Sequence, residues 1–202
     1  AIALQEMAGQ LAEIERPVLL QGPLAEVAEL VAQRDPQVRF DAILGRNALE
    51  GIEDKPAVAR ALAGLLAPGG CLSLAESLPR RAQRLYGLLP ADHLEVGLRE
   101  RLVRAEEAIY ADSGNPQVNW DAADLEGLFT AAGLRSVRVQ VEVTQTSRHL
   151  TMAHLGHWFN PGGEQRHTYA SYLRQHLAEE EVVALRRLFE KELANRTVDW
   201  SA

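Results

Sequence analysis

Two hydrophobic periods succeed each other in the middle of this chain. Phe40, Ala42, Ile43 and Leu44 make a short apolar run that ends at Gly45-Arg46-Asn47. The spacing then widens: Val58, Leu62, Leu65 and Leu66 recur about one helical turn apart. Pro68-Gly69-Gly70 stops that helix, and residues 71–75 form a second apolar run. Strand, helix and strand at this spacing make a parallel crossover, because a helix between two strands returns the chain to the same end. The class is therefore α/β. In such sheets the ligand sits at the carboxyl ends of the strands. That rule places Gly45, Arg46, Asn47 and Ala48, with Glu76 and Ser77, at the functional rim.

The same patterning assigns the rest. Residues 2–14 read as a helix through Leu4, Met7, Leu11 and Ile14, and residues 18–21 as a short buried strand. Residues 24–33 are a second helix. Asp54 suits a helix N-cap and Pro56 the first turn after it. Residues 80–110 are charged and amphipathic, with Leu85, Leu89, Leu94, Leu98 and Leu102 inside. Residues 121–132 form a helix that Gly133 ends in a left-handed cap. Val137, Val139, Val141 and Val143 alternate with Arg138, Gln140, Glu142 and Thr144, the pattern of a half-exposed strand. Helix returns over 151–159 and 167–193, and residues 197–202 resemble the approach to a further strand.

Composition narrows the class. At 202 residues, one domain spanning 1–202 is the default. A net charge of −7 argues against a broadly basic nucleic-acid surface. The one cysteine, Cys71, lies in an expected buried strand and excludes a disulfide framework within the chain. With no apolar run of about twenty residues, the chain reads as cytoplasmic and without membrane contact.

The punctuation from Phe40 to Glu76 carries a resemblance. Phe40-Asp41-Ala42-Ile43-Leu44, Asn47-Ala48-Leu49-Glu50, Leu65-Leu66-Ala67-Pro68-Gly69-Gly70 and Leu72-Ser73-Leu74-Ala75-Glu76 resemble the fourth and fifth strand region of class I S-adenosylmethionine-dependent methyltransferases. The resemblance implies an incomplete Rossmann-like fold with a mostly parallel central sheet. It also implies a helical insertion over 80–116, acting as a lid. Its cofactor would be S-adenosylmethionine, held near Gly22, Pro23 and Leu24 on the adenine side and over Gly45, Arg46, Asn47 and Ala48. Glu76 and Tyr86 are the candidates to face a methyl acceptor of unknown kind. The family's glycine-rich first turn and second-strand carboxylate have no counterpart here. The resemblance therefore implies an internal piece of a longer protein, or a domain that has shed its cofactor-binding half. An exposed sheet edge would then invite pairing with another copy. A second, looser resemblance, over 85–110 and 116–120, is to the methyltransferase-like portion fused to AAA+ ATPases of replication-associated recombination. It implies an inactive interaction module as the alternative.

Other clusters have plain readings. Glu50, Glu53 and Asp54 suit a solvated helix start. His149, His154, His157 and His167 lack a metal-site spacing such as H-E-x-x-H. Arg80, Arg81, Arg84, Arg99, Arg101 and Arg104, interleaved with Glu95, Glu100, Glu106 and Glu107, read as ion-paired, solvated helix faces.

Overall fold

The computed structural model describes residues 18–161 and 168–201. The chain divides into two compact units, one from 1–75 and 128–136, the other from 76–127 and 137–202. Helices and strands occur in both, so the protein is α/β. The expected helix over 2–14 and His167 lie outside the described residues.

In the first unit, a 3-10 turn at Leu24–Glu26 leads into α1 (Val27–Arg34). Strand β1 (Phe40–Arg46), α2 (Lys55–Leu65) and β2 (Leu66–Ala75) form the expected crossover, and β1 pairs with β2 in parallel. Asp54 caps α2 by accepting from the Ala57 N–H at 2.8 Å, with Pro56 in the first turn. Val58, Ala59, Leu62 and Leu65 are buried on one stripe of α2. Each large one contributes about 1.5–3 kcal/mol. The helix ends before Pro68, and β2 instead runs through the Pro-Gly-Gly stretch with a register shift between Phe40 and Ala42. Gly70 fits there because it has no side chain: a Cβ would stand 2.7 Å from the Phe40 carbonyl oxygen. Backbone cannot swing away as a side-chain tip can. Gly70→Ala should destabilise this pair by about 1–3 kcal/mol, read as faster amide exchange at Ile43 and Leu72.

Two expectations fail in this unit. Residues 18–21 are not a strand: no described strand pairs with them, and Val18, Leu19 and Leu20 are exposed. A strand without a ladder partner leaves its backbone to water. Cys71 is exposed rather than buried. It shares the open face of the pair with Ala42, Leu44 and Ser73, while Leu72 and Leu74 are half-buried on the other face.

The second unit starts with three 3-10 turns, Pro79–Arg81, Leu85–Leu88 and Ala91–His93, before α3 (Val96–Ala111). The expectation of helix over 80–110 is thus met only in its second half. Helix α4 (Ala122–Ala131) follows and passes at Leu128 into the stretch 128–136 that belongs to the first unit; there Gly133 adopts φ 93°, the left-handed cap the sequence predicts. The alternating valines do not form a strand. Residues 137–144 lie outside any regular element, and Val143 is exposed. Strand β3 (Gln145–Leu150) begins just after them and pairs antiparallel with β4 (Arg196–Ser201). Alternation marks a chain that suits a sheet face, but a ladder needs a partner, and β4 meets only 145–150.

Between β3 and β4 lie α5 (Met152–Trp158), α6 (Tyr169–Leu173) and α7 (Glu179–Leu193). Val182, Leu185, Phe189 and Leu193 line the buried side of α7 at three- and four-residue spacing. Phe189 meets Phe159 at 5.3 Å and Tyr169 at 6.1 Å between ring centroids. Asn195, at φ 59°, turns the chain out of α7 and donates its N–H to the Leu150 carbonyl at 2.7 Å, which starts β4 in register. Leu85, Leu89 and Leu102 are buried in this same core, with Leu94 and Leu98 packed against it. The described residues thus hold two separate two-stranded sheets, one parallel and one antiparallel. No helix among them is long and apolar enough to cross a membrane.

Candidate functional site

The carboxyl ends of β1 and β2 make the rim the sequence singles out. β1 ends at Arg46, and Asn47 takes φ 48°, a left-handed conformation that suits asparagine better than most residues. Its N–H donates to the Ala75 carbonyl at 2.9 Å and ties the two strand ends together. Arg46 and Asn47 are exposed, Ala48 is half-buried, and Leu49 beneath them is fully buried. Gly45 faces the covered side, where a Cβ would stand 2.7 Å from Leu74 Cδ2. The turn then closes on Lys55, whose Nζ donates to the Ile52 carbonyl at 2.9 Å. Burial pushes the Lys55 amine below its ordinary value.

Gly22, Pro23 and Leu24 also belong to the first unit. The Pro23 carbonyl accepts the Glu26 N–H at 3.0 Å, so these residues start a helix. A Cβ at Gly22 would stand 2.6 Å from Leu30 Cδ1. Glu76 follows β2 directly and opens the second unit, and Tyr86 lies within that unit. Tyr86 has a definite partner: its hydroxyl donates to Glu107 at 2.8 Å.

Tyr86 belongs to a polar cluster that the sequence reading missed. Glu106 is fully buried in α3, not solvated as its charged neighbours suggested. Its carboxylate accepts from the N–H groups of Leu85 and Tyr86 and from the Tyr169 hydroxyl. Burial pushes the Glu106 carboxyl above its ordinary value, against the opposing pull of these donors. Burial and the neighbouring Glu106 charge also raise the Tyr169 hydroxyl well above its own. Next to it, Arg84 directs Nε and Nη2 to Glu107 at 2.9 and 3.2 Å, which holds the Glu107 carboxyl below its usual range. The Arg84 guanidinium also lies over the Tyr110 ring at 3.7 Å. A signal for Glu106 was present in the sequence. It sits four residues after Leu102 and three before Ile109, on the stripe that faces inward.

A scan against protein-family models and a search of the curated proteins each found no match.

The remaining clusters act locally. The His154 ring accepts the Thr151 N–H at 3.2 Å as half of a capping box at the start of α5. No group of histidines, cysteines or carboxylates among the described residues is placed to hold a metal ion. Arg81 pairs with Asp121, and Arg101 with Glu181. Glu192, nearly buried, meets His93 Nδ1 at 3.1 Å and Arg196 at 3.9 Å. Arg99 and Arg104 instead border an open groove with Val96 and Val103 along α3.

Proposed function

We propose that the first unit is part of an S-adenosylmethionine-dependent methyltransferase-like module, whose cofactor would lie across the Gly45–Ala48 rim once a glycine-rich turn and a ribose carboxylate from outside this chain complete it. The observation that carries this reading is the parallel β1–α2–β2 crossover, whose carboxyl ends are tied by the Asn47 N–H to the Ala75 carbonyl. In open α/β sheets ligands bind in the crevice outside the carboxyl ends of the strands. Methyl transfer asks mainly for alignment of the methyl group with its acceptor, which a fixed backbone turn can provide. On this reading Gly22, Pro23 and Leu24 border the adenine and Asn47 contacts cofactor or substrate. The Rossmann-like completion of the sheet belongs to the same proposal.

A specific observation favours a second reading, an inactive interaction module such as one fused to an AAA+ ATPase. The leucines expected to line a lid, Leu85, Leu89 and Leu102, are spent on the core of the second unit.

Calorimetric titration with S-adenosylmethionine separates the two. This chain lacks a glycine-rich turn and a ribose carboxylate, so by itself it should bind weakly or not at all. If a longer protein supplies those two elements, that protein should bind, and Asn47→Gly in it, which keeps the left-handed turn, should weaken binding while moving the melting temperature by no more than a few degrees. A protein so completed that still ignores the cofactor would leave the interaction module standing.

A further inference from the structure

Glu106 plays no part in the rim reading, yet it fastens one stretch of chain. Residues 79–93 contain only short 3-10 turns, whose hydrogen-bond geometry is poorer than that of an α-helix. The turn Leu85–Leu88 is anchored at its start by the Glu106 carboxylate, through the Leu85 and Tyr86 N–H groups. The other donor is the Tyr169 hydroxyl from α6. The groups facing Glu106 are Arg84 and Tyr86 from the turn stretch, Glu107 and Tyr110 from α3, and Tyr169 from α6. Arg84 is the one cation among them, and it is committed to Glu107 and the Tyr110 ring. Ionised Glu106 is thus a fully buried charge held by neutral donors. Such a charge is expensive to keep from water.

We propose that residues 79–93 are a pH-dependent latch, docked on α3 while Glu106 carries its proton and released as that proton is lost, uncovering Leu85 and Leu89. The protonated acid fits the docked form, because the Tyr169 oxygen can accept the carboxylic O–H while the other carboxyl oxygen keeps an amide donor. On release the carboxyl returns to water and to its ordinary proton affinity. Docked Glu106 binds its proton more tightly than released Glu106, so docking weakens as pH rises from the ordinary carboxylate range to the raised value.

Amide hydrogen exchange on the protein tests this. After correction for intrinsic exchange, protection of the Leu85 and Tyr86 amides should fall by up to about tenfold per pH unit across that window. The Leu185 and Phe189 amides of α7 should show no such slope. Glu106→Gln, which cannot ionise, should abolish the slope. Tyr169→Phe removes one donor to the carboxylate and should carry the slope to higher pH. Flat protection in the unaltered protein overturns the latch, as does an unchanged slope in Glu106→Gln. Should Glu106→Gln fail to fold, a Tyr169→Phe profile that coincides with that of the unaltered protein overturns it equally.

Discussion

Glu106→Ala should be among the most damaging single substitutions in the second unit, lowering its stability by about 3–5 kcal/mol. The change removes an acceptor, not merely a charge. The Leu85 and Tyr86 N–H groups and the Tyr169 hydroxyl all point at this carboxylate. Each buried donor left without a partner costs about 1–3 kcal/mol. Relief from burying a carboxylate offsets part of the sum. Glu106→Gln should cost less, about 1–2 kcal/mol, because its amide oxygen still accepts from one N–H and its NH2 can donate to the Tyr169 oxygen. Urea unfolding followed by tryptophan fluorescence measures both. All three tryptophans, Trp120, Trp158 and Trp200, lie in the second unit, so the signal reports that unit. The sign of the pH dependence also follows. Glu106 has its folded value raised, so its contribution is greatest below the ordinary carboxylate range and is lost as pH rises. The gap between wild type and Glu106→Gln should therefore narrow as pH rises from the ordinary carboxylate range towards the raised folded value. A loss below about 1 kcal/mol in Glu106→Ala would mean that its three hydrogen bonds only balance the cost of burial.

Phe189→Ala should remove about 3–5 kcal/mol from the same unit. Phe189 is fully buried and meets Phe159, Tyr169 and Trp158, the last edge-on with centroids 6.4 Å apart. Truncation deletes the ring's transfer energy and opens a cavity that three other rings cannot fill without leaving their rotamers. The emission of Trp158 should change as well, since one of its ring neighbours is gone. Arg187→Ala, on the exposed side of α7, is the matched control and should stay within about 0.5 kcal/mol. Equal losses at the two positions would contradict the burial pattern of α7.

How far the sequence discloses this structure depends on whether the information is local. The crossover from Phe40 to Ala75 was legible because each punctuation mark acts on its neighbours: Asp54 on the Ala57 N–H, Pro56 on the first turn. Gly133 was legible for the same reason. The valines at 137, 139, 141 and 143 misled because their alternation says nothing about a partner. The strand at 145–150 went unread because Gln145, Thr146, Ser147, Arg148 and His149 carry almost no apolar signal. Its ladder with β4 is set by Asn195 and by Trp200, whose ring lies under the Arg148 guanidinium at 4.6 Å. At the rim, the sequence located Gly45 to Ala48 at the strand ends, and the left-handed Asn47 turn accounts for that polar stop. Glu106 was hidden by its company. Charged neighbours suggested solvent, while its place on the leucine stripe pointed inward.

The pairing of β3 with β4 has a kinetic consequence. His149 and Thr197, which face each other across that ladder, are 48 residues apart in the chain. The crossover of the first unit joins strands separated by one helix. A contact that closes a longer loop loses more chain entropy before any bonding repays it. Collapse of α5 and α7 around Phe159 and Phe189 should therefore come first, with the β3–β4 ladder closing late. A destabilising change in the ladder, such as one at Val198, should then speed unfolding far more than it slows folding.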